Sequence, residues 1–367
     1  MSKITPVPDV VSSIDNLNQQ GYLRNFIMTR GSFALATLLM VTVLATSSSM
    51  AVAQEIKERT IRFGYAWDAA HPIGLAAKRF GEIVTEKSGG KFKFRDFPSN
   101  QLGPEAQQQS ALVGGTQQML ATASAQIAGV VKEFGIMDFP FIVATEQQAD
   151  ALNDGPAGQA LLDMLPAKNL IGLGYWENGF RHVTNSKHPV TRVEDFAGLK
   201  IRVQPSSMFI ETFKTLGTNP LPMPFSELFT ALETGTVDAQ ENPLLNILAN
   251  NLYEHQKYLS LTGHVYGNAV ILVGKKFWDS LSPTEKGIIQ DAVLEARDYE
   301  RQESRRRLRE AIIELKAKGM QVDEVAPAEL ERMRLLTKPV TDKFAAEYDP
   351  KIVEVFRAEL ERINPKH

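Results

Sequence analysis

The order in which apolar periodicities follow one another constrains this chain most. Ile61, Phe63 and Tyr65 alternate with polar positions, the two-residue period of a strand. Pro72 then opens a segment with Ile73, Ala76, Phe80 and Ile83 at helical spacing, stopped by Gly89 and Gly90. Phe92 and Phe94 alternate with Lys91, Lys93 and Arg95, which predicts a second strand. Pro104 starts another helical segment that ends near Gly114 and Gly115, and Met119 to Ser124 reads as a third strand. A strand–helix–strand–helix–strand order this compact predicts an α/β sheet with helices on its faces.

A second unit of the same grammar follows. A strand is predicted from Leu170 to Tyr175. Thr191 and Glu194 have the spacing of a capping box for a short helix ended by Gly198. Lys200 to Val203 reads as a strand and Met208 to Leu216 as a helix closed by Gly217. Ser226 and Glu227 open a further helix, Val237 to Ala239 reads as a short strand, and a helix runs from Pro243 to about Leu252. Ser282, Pro283 and Glu285 then make a complete helix start, and no breaker follows until about Lys318. That run exceeds an ordinary globular helix and predicts a spine spanning two lobes. Its charge-dense middle, Arg301 to Arg309, is expected to be a solvated face. With no linker-like segment between the units, two lobes joined by several crossings are expected. Ligand sites in such folds lie at the carboxyl ends of strands or between lobes.

The first fifty residues follow other rules. Arg24 and Arg30 precede an uncharged run from Phe33 to Leu44, and small residues then end in Ala51-Val52-Ala53. A basic start, an apolar stretch of about a dozen residues and an A-x-A site predict a secretory leader, too short for a membrane-spanning helix. Met28 is the expected start of that leader, with cleavage after Ala53. The protein is therefore expected in the periplasm, with no other stretch able to cross a membrane. The chain has no cysteine, which excludes disulfides, thiol catalysis and Cys-ligated metals. A formal charge of −3 over 367 residues gives no footprint for nucleic acid.

Motifs for catalysis are missing. There is no G-x-S-x-G, no Walker loop and no H-E-x-x-H. Gly172 and Gly174 lead into aromatic residues rather than a helix start with a third glycine, so dinucleotide binding is rejected. His182 and His188 are close, but no third ligand stands at metal spacing, and no cofactor or metal is expected. What remains is a pair of arginines in apolar surroundings. Arg181 follows Trp176-Glu177-Asn178-Gly179-Phe180, and Arg202 lies in a strand expected to be buried. A buried arginine is costly unless paired, and its planar fork matches a carboxylate. The partner could be an internal Asp or Glu, or a ligand.

Several segments taken together resemble the solute-binding subunit of tripartite ATP-independent periplasmic (TRAP) transporters, the DctP-type family. They are Trp176 to Asn185 (WENGFRHVTN), Val193 to Val203 (VEDFAGLKIRV), Pro222 to Glu227 (PMPFSE) and Thr234 to Pro243 (TGTVDAQENP), with Phe97 to Gly103 (FPSNQLG) as an earlier signature. The match runs in order over essentially the whole chain after residue 53. The resemblance implies an α/β, two-lobed periplasmic-binding-protein (flytrap) fold with a long bridging helix. The implied division is 1–53 as leader, 54–178 plus 267–307 as the first lobe, and 179–266 plus 308–367 as the second.

The resemblance also implies a binding role rather than catalysis, a small organic acid as ligand, and two integral membrane subunits as partners. By it, Arg202 forms the main salt bridge to the ligand carboxylate and Arg181 is a second arginine there. Asn242 supplies an amide to the same group, Phe225 an aromatic wall and Glu105 a polar contact to the distal end. His71 is expected to face the cleft from the first strand–helix turn. Ala123 and Ala66 stand where sialic-acid-binding members carry an acidic residue and an asparagine, which argues against sialic acid. The pair Arg181-His182, with Ser260 to Tyr266 downstream, is more similar to members that bind sugar acids such as hexuronates or aldonates. C4-dicarboxylates and 2-oxo or hydroxy acids stay open as ligands. So do a sensor's binding protein and a periplasmic sugar-acid enzyme as classes.

Overall fold

Strands β1 (Arg59–Tyr65), β2 (Phe92–Phe97) and β3 (Met119–Ala123) lie parallel, with β1 in the middle. A computed structural model describes residues 55–364, so the leader expected at 1–53 lies outside the described residues. Helices α1 (Pro72–Lys87) and α2 (Glu105–Gly114) make the crossovers between these strands. The alternation read from the sequence is explained by burial: Ile61, Phe63 and Tyr65 are fully buried with Phe80 and Ile83 of α1.

Two strands are far longer than the rest. Strand β4 runs Leu170–Asn185, and β8 runs Tyr258–Gly274 antiparallel to it. Their shared ladder reaches from Leu170 opposite Gly274 to Asn185 opposite Tyr258, with a shift of register between Glu177 and Gly179. Toward one end β8 pairs with β3. Toward the other, β4 pairs with β7 (Ala239–Pro243), which continues to β5 (Lys200–Val203) and β6 (Asn219–Pro222). Strand β9 (Gln321–Glu324) adds to β8 at Tyr258 to Leu261. One sheet in the order β2-β1-β3-β8-β4-β7-β5-β6 thus serves both halves.

The sequence reading ended β4 at Tyr175 and read a strand at Val237 to Ala239, where the structure has β4 continuing to Asn185 and β7 beginning at Ala239. Both strands are buried on two faces here, so the alternation that marks a half-solvated strand is absent. The predicted capping box at Thr191 and Glu194 is also displaced. Asp195 accepts from the backbone N–H groups of Thr191 and Arg192, while Glu194 turns outward to Arg332.

Helices α3 (Glu146–Asp154) and α4 (Pro156–Leu162) lie beside the β4–β8 ladder, and α5 (Ser207–Thr215) and α6 (Leu244–Ala249) belong to the other half. Helix α7 (Pro283–Ala317) is the spine. It starts as predicted, with Ser282 Oγ accepting from Glu285 N and the Glu285 carboxylate accepting from Ser282 N. Its first turns bury Ile289, Ala292 and Val293 with β1 and α1, and its last bury Ala311 and Leu315 with Leu245 and Ile247 of α6. Its charge-dense middle is not simply solvated. Arg305 ties to Glu177 and Asp150, and the fully buried Glu300 accepts from Glu177 N at 2.8 Å. Helices α8 (Pro327–Glu347) and α9 (Pro350–Ile363) close the chain; α9 packs on α3 and α4. Among the described residues no helix is long and apolar enough to cross a membrane.

Candidate functional site

A small cavity opens where several strands end. Ala66 and Trp67 follow β1, Ala123 ends β3, Gln204 follows β5, and Asn242 lies near the end of β7. Parallel strands present their carboxyl ends together here, where α/β sheets place ligands.

Arg202 is set into the wall by β5. Its neighbours Ile201 and Val203 are core residues, and its backbone pairs with Leu221 and Gln240 on the flanking strands. The guanidinium is 1% exposed, and its Nε and Nη2 donate to the backbone carbonyl of Met223 at 3.1 and 2.8 Å. The ring of Phe225 lies 5.8 Å from Cζ, a cation–π contact. Among the described residues Arg202 has no ion-pair partner, and its Nη1 makes no hydrogen bond. Burial pushes its pKa down to about 10, with Glu241 opposing the shift, so it stays charged at neutral pH.

Arg181 has the opposite arrangement. Strands β4 and β7 place it beside Glu241, whose Oε1 accepts from Arg181 Nη2 at 2.8 Å while Oε2 takes the Nε–H. Nη2 also donates to the Glu241 carbonyl and, at 3.3 Å, to Asn242 Oδ1. Glu241 is fully buried, and His264 Nε2 lies 3.2 Å from its Oε2. Burial opposes ionisation of Glu241, yet Arg181 and His264 together hold it below the usual carboxylate range. The internal salt bridge that the sequence left open is realised for Arg181 and not for Arg202.

Glu105 occupies the first turn of α2 after Pro104 and reaches the same cavity. Burial raises its pKa, and Arg202 pulls it part of the way back. Trp67 Nε1 donates to Asn178 Oδ1 at 3.0 Å, which fixes a tryptophan edge and an amide in the lining. Five residues expected at the site therefore share one cavity: Arg202, Arg181, Asn242, Phe225 and Glu105. His71 is set apart, in a neighbouring cleft beside Leu245 and Arg307, with its ring capping α1. Trp67, Asn178, Gln126, Gln204 and Asn246 line the cavity without having been singled out. Asn178 lay in plain view inside the WENGFRH segment, whereas Asn246 is one polar residue in an apolar helix and gave no signal.

A buried carboxyl lies close by. Asp138 Oδ1 accepts from Ser124 Oγ at 2.8 Å, and its Oδ2 has no partner among the described residues. Burial raises its pKa to about 7, with the Ser124 hydroxyl partly opposing. Because the folded value lies above the unfolded one, this group withdraws stability as pH rises from about 4 to 7. Asp138→Asn should remove that penalty, up to about 4 kcal/mol above pH 7. Melting curves at pH 5 and pH 8 should show the variant gaining on the wild type at the higher pH; parallel profiles would rule this out.

An α/β fold whose strand ends gather a buried guanidinium without an ion-pair partner among the described residues has the make-up of a protein that binds small anionic solutes. Residues 63–347 match the model of the bacterial extracellular solute-binding protein family 7, DctP. The chain belongs to that family, the DctP-type solute-binding proteins of TRAP transporters, a family of transport proteins rather than enzymes. It is 38% identical over 263 residues to the 2,3-diketo-L-gulonate-binding periplasmic protein YiaO of Escherichia coli K12, covering 72% of this chain and 79% of that one. It is 30% identical over 327 residues to the C4-dicarboxylate-binding periplasmic protein DctP of Rhodobacter capsulatus, covering 88% and 97%. The crystal structure of the sugar acid binding protein DctPAm of Advenella mimigardefordensis in complex with galactonate superposes with a TM-score of 0.82 at 42% identity, over 84% of this chain and all of that one.

Proposed function

We propose that this chain captures a hydroxylated monocarboxylate, a sugar acid such as an aldonate or hexuronate, in the periplasm and delivers it to the two membrane subunits of a TRAP transporter. The observation that carries the reading is Arg202, a buried cation whose hydrogen bonds go to a backbone carbonyl and whose remaining edge is open to the cavity. A ligand carboxylate supplies the missing charge at Arg202, and the low dielectric of a closed site strengthens the pair. Arg181 is paired with Glu241, so Arg202 is the one of the two arginines left without an ion-pair partner among the described residues. A second ligand carboxylate would meet Glu105 without a cation of its own, whereas hydroxyl groups suit Glu105, Asn178 and Gln126. That charge count favours a sugar acid over a C4-dicarboxylate. Ala66 and Ala123 both line the cavity, so the departures from the sialic-acid pattern fall in the site.

The halves act as lobes that close on the ligand, dividing where the β4–β8 register shifts, near 178/179 and 266/267. The last helix, 350–363, joins the first lobe by its packing on α3 and α4 rather than the second. Closure presents the surface that the membrane subunits recognise.

Thermal denaturation of residues 54–367 against aldonates, hexuronates, C4-dicarboxylates, 2-oxo acids and sialic acid tests the reading. A ligand at about 100 times its Kd adds about 2.7 kcal/mol and raises Tm by several degrees. Aldonates or hexuronates should give the shift. A shift with a dicarboxylate alone would overturn the charge argument while leaving acid capture standing, and no shift with any acid would overturn both.

A further inference from the structure

We propose that His71 is a positioning residue that latches the two lobes together, its Nε2–H donating to Asn246 Oδ1, the one acceptor that the relay of amides behind the ligand cavity leaves open. The proposal rests on the reading of the cavity as the ligand site. His71 belongs to the first strand–helix turn and Asn246 to α6, so the pair joins the two halves.

The argument is one of hydrogen-bond polarity. His71 is 2% exposed, and its Nδ1 accepts from Ile73 N at 3.2 Å. An accepting Nδ1 puts the proton of the neutral ring on Nε2. That Nε2 is buried and has no partner among the described residues. Burial, then the nearby Arg307, push the ring's pKa down to about 3, so it stays neutral. His71 shares its cleft with Leu245 and Leu248 of α6, the helix turns that flank Asn246.

Asn246 Oδ1 is the complementary case, a buried acceptor without a donor. Its orientation is fixed from the far end of a relay. Gln256 Nε2 donates to the carbonyls of Asp238 and His255, which can only accept. Gln256 Oε1 therefore accepts from Thr184 Oγ, and Thr184 Oγ accepts from Gln240 Nε2. Gln240 Oε1 in turn accepts from Asn242 Nδ2. Asn242 Oδ1 is left to accept from Arg181 and, at 3.2 Å, from Asn246 Nδ2. Every amide in the series is thus directed, and the last acceptor, Asn246 Oδ1, is left for a neighbouring ring that has a proton to give. A buried donor and a buried acceptor left apart would each carry a desolvation cost, which their pairing removes. The turn that carries His71 is itself held to the spine, because Arg307 Nη1 donates to Ala70 O at 2.8 Å. The pair forms in the ligand-free protein as well and biases its lobes toward the closed form; opening breaks it, so the latch also slows release.

Two substitutions separate the latch from the helix cap. His71→Asn keeps an acceptor near the Nδ1 position for Ile73 N but cannot reach Asn246. His71→Gln keeps a donor near the Nε2 position. Urea unfolding of the ligand-free protein should give a double-mutant cycle between His71→Asn and Asn246→Ala in which the unfolding constants depart from additivity threefold or more. His71→Gln should retain most of that coupling. With D-galactonate as probe, His71→Asn should raise the dissociation rate at least fivefold and His71→Gln less than twofold. Additive effects in the unfolding cycle overturn the latch whether or not galactonate binds. If the wild type binds neither galactonate nor any other acid tested, the functional reading fails and the unfolding cycle alone decides the latch.

Discussion

Replacing Arg202 with methionine should weaken ligand binding at least a hundredfold while leaving the ligand-free protein no less stable than the wild type by more than about 1 kcal/mol. The two halves of that expectation have one cause. Arg202 is buried without a carboxylate partner, so the folded protein carries its desolvation cost and receives only the bonds to Met223 O in return. Removing the charge takes that cost away. The ligand carboxylate, by contrast, loses its counter-charge in a water-excluded site, where truncating one partner costs about 2–5 kcal/mol. Arg202→Lys keeps the charge but loses the planar fork and should still lower affinity at least tenfold. Calorimetry on the acid that gives a thermal shift, beside urea unfolding without it, reads both effects. Unchanged affinity would remove Arg202 from the site. A large loss of ligand-free stability would show that its charge is compensated within the protein.

Glu241→Gln should have the opposite profile: a loss of stability of about 3–5 kcal/mol before any ligand is added. Arg181 is 2% exposed, and among the described residues Glu241 is its only carboxylate partner. The amide would leave a buried guanidinium unneutralised and would take away the charge that faces His264. A fall of roughly 6 °C or more in Tm is expected, since each kcal/mol moves a domain of this size by about 2–4 °C. The pH dependence carries a sign. Glu241 is held below its unfolded pKa, so its contribution is present above that value and fades as pH falls through the folded one. The wild-type advantage over Glu241→Gln should therefore shrink in acid. A variant as stable as the wild type at pH 7 would mean that Arg181 finds another counter-charge.

These two arginines show what could be read in advance. Their motifs, their expected burial and the need of each for an anion were legible from residue type alone, because burying a guanidinium is costly in any context. Which one keeps its charge for a ligand was not. That depends on Glu241, about sixty residues from Arg181 in the chain and brought beside it only by the antiparallel register of β4 and β7. The same limit explains His71. As a residue between a strand and a proline it suggested a cleft-facing side chain, and only the packing of α6 and α7 against its turn places it behind the cavity wall.

The sequence by itself determined the α/β class, the crossover helices, the spine with its capping box and the family to which the chain belongs. Local periodicity, capping chemistry and motif order are properties of short segments and survive without the fold. Only the tertiary structure decided that β4 and β8 run through both halves, because strands covered on both faces lose the alternation that would announce them. It alone also decided which charges cancel, since pairing falls off over a few ångströms and those distances are set by strand register rather than by position in the chain.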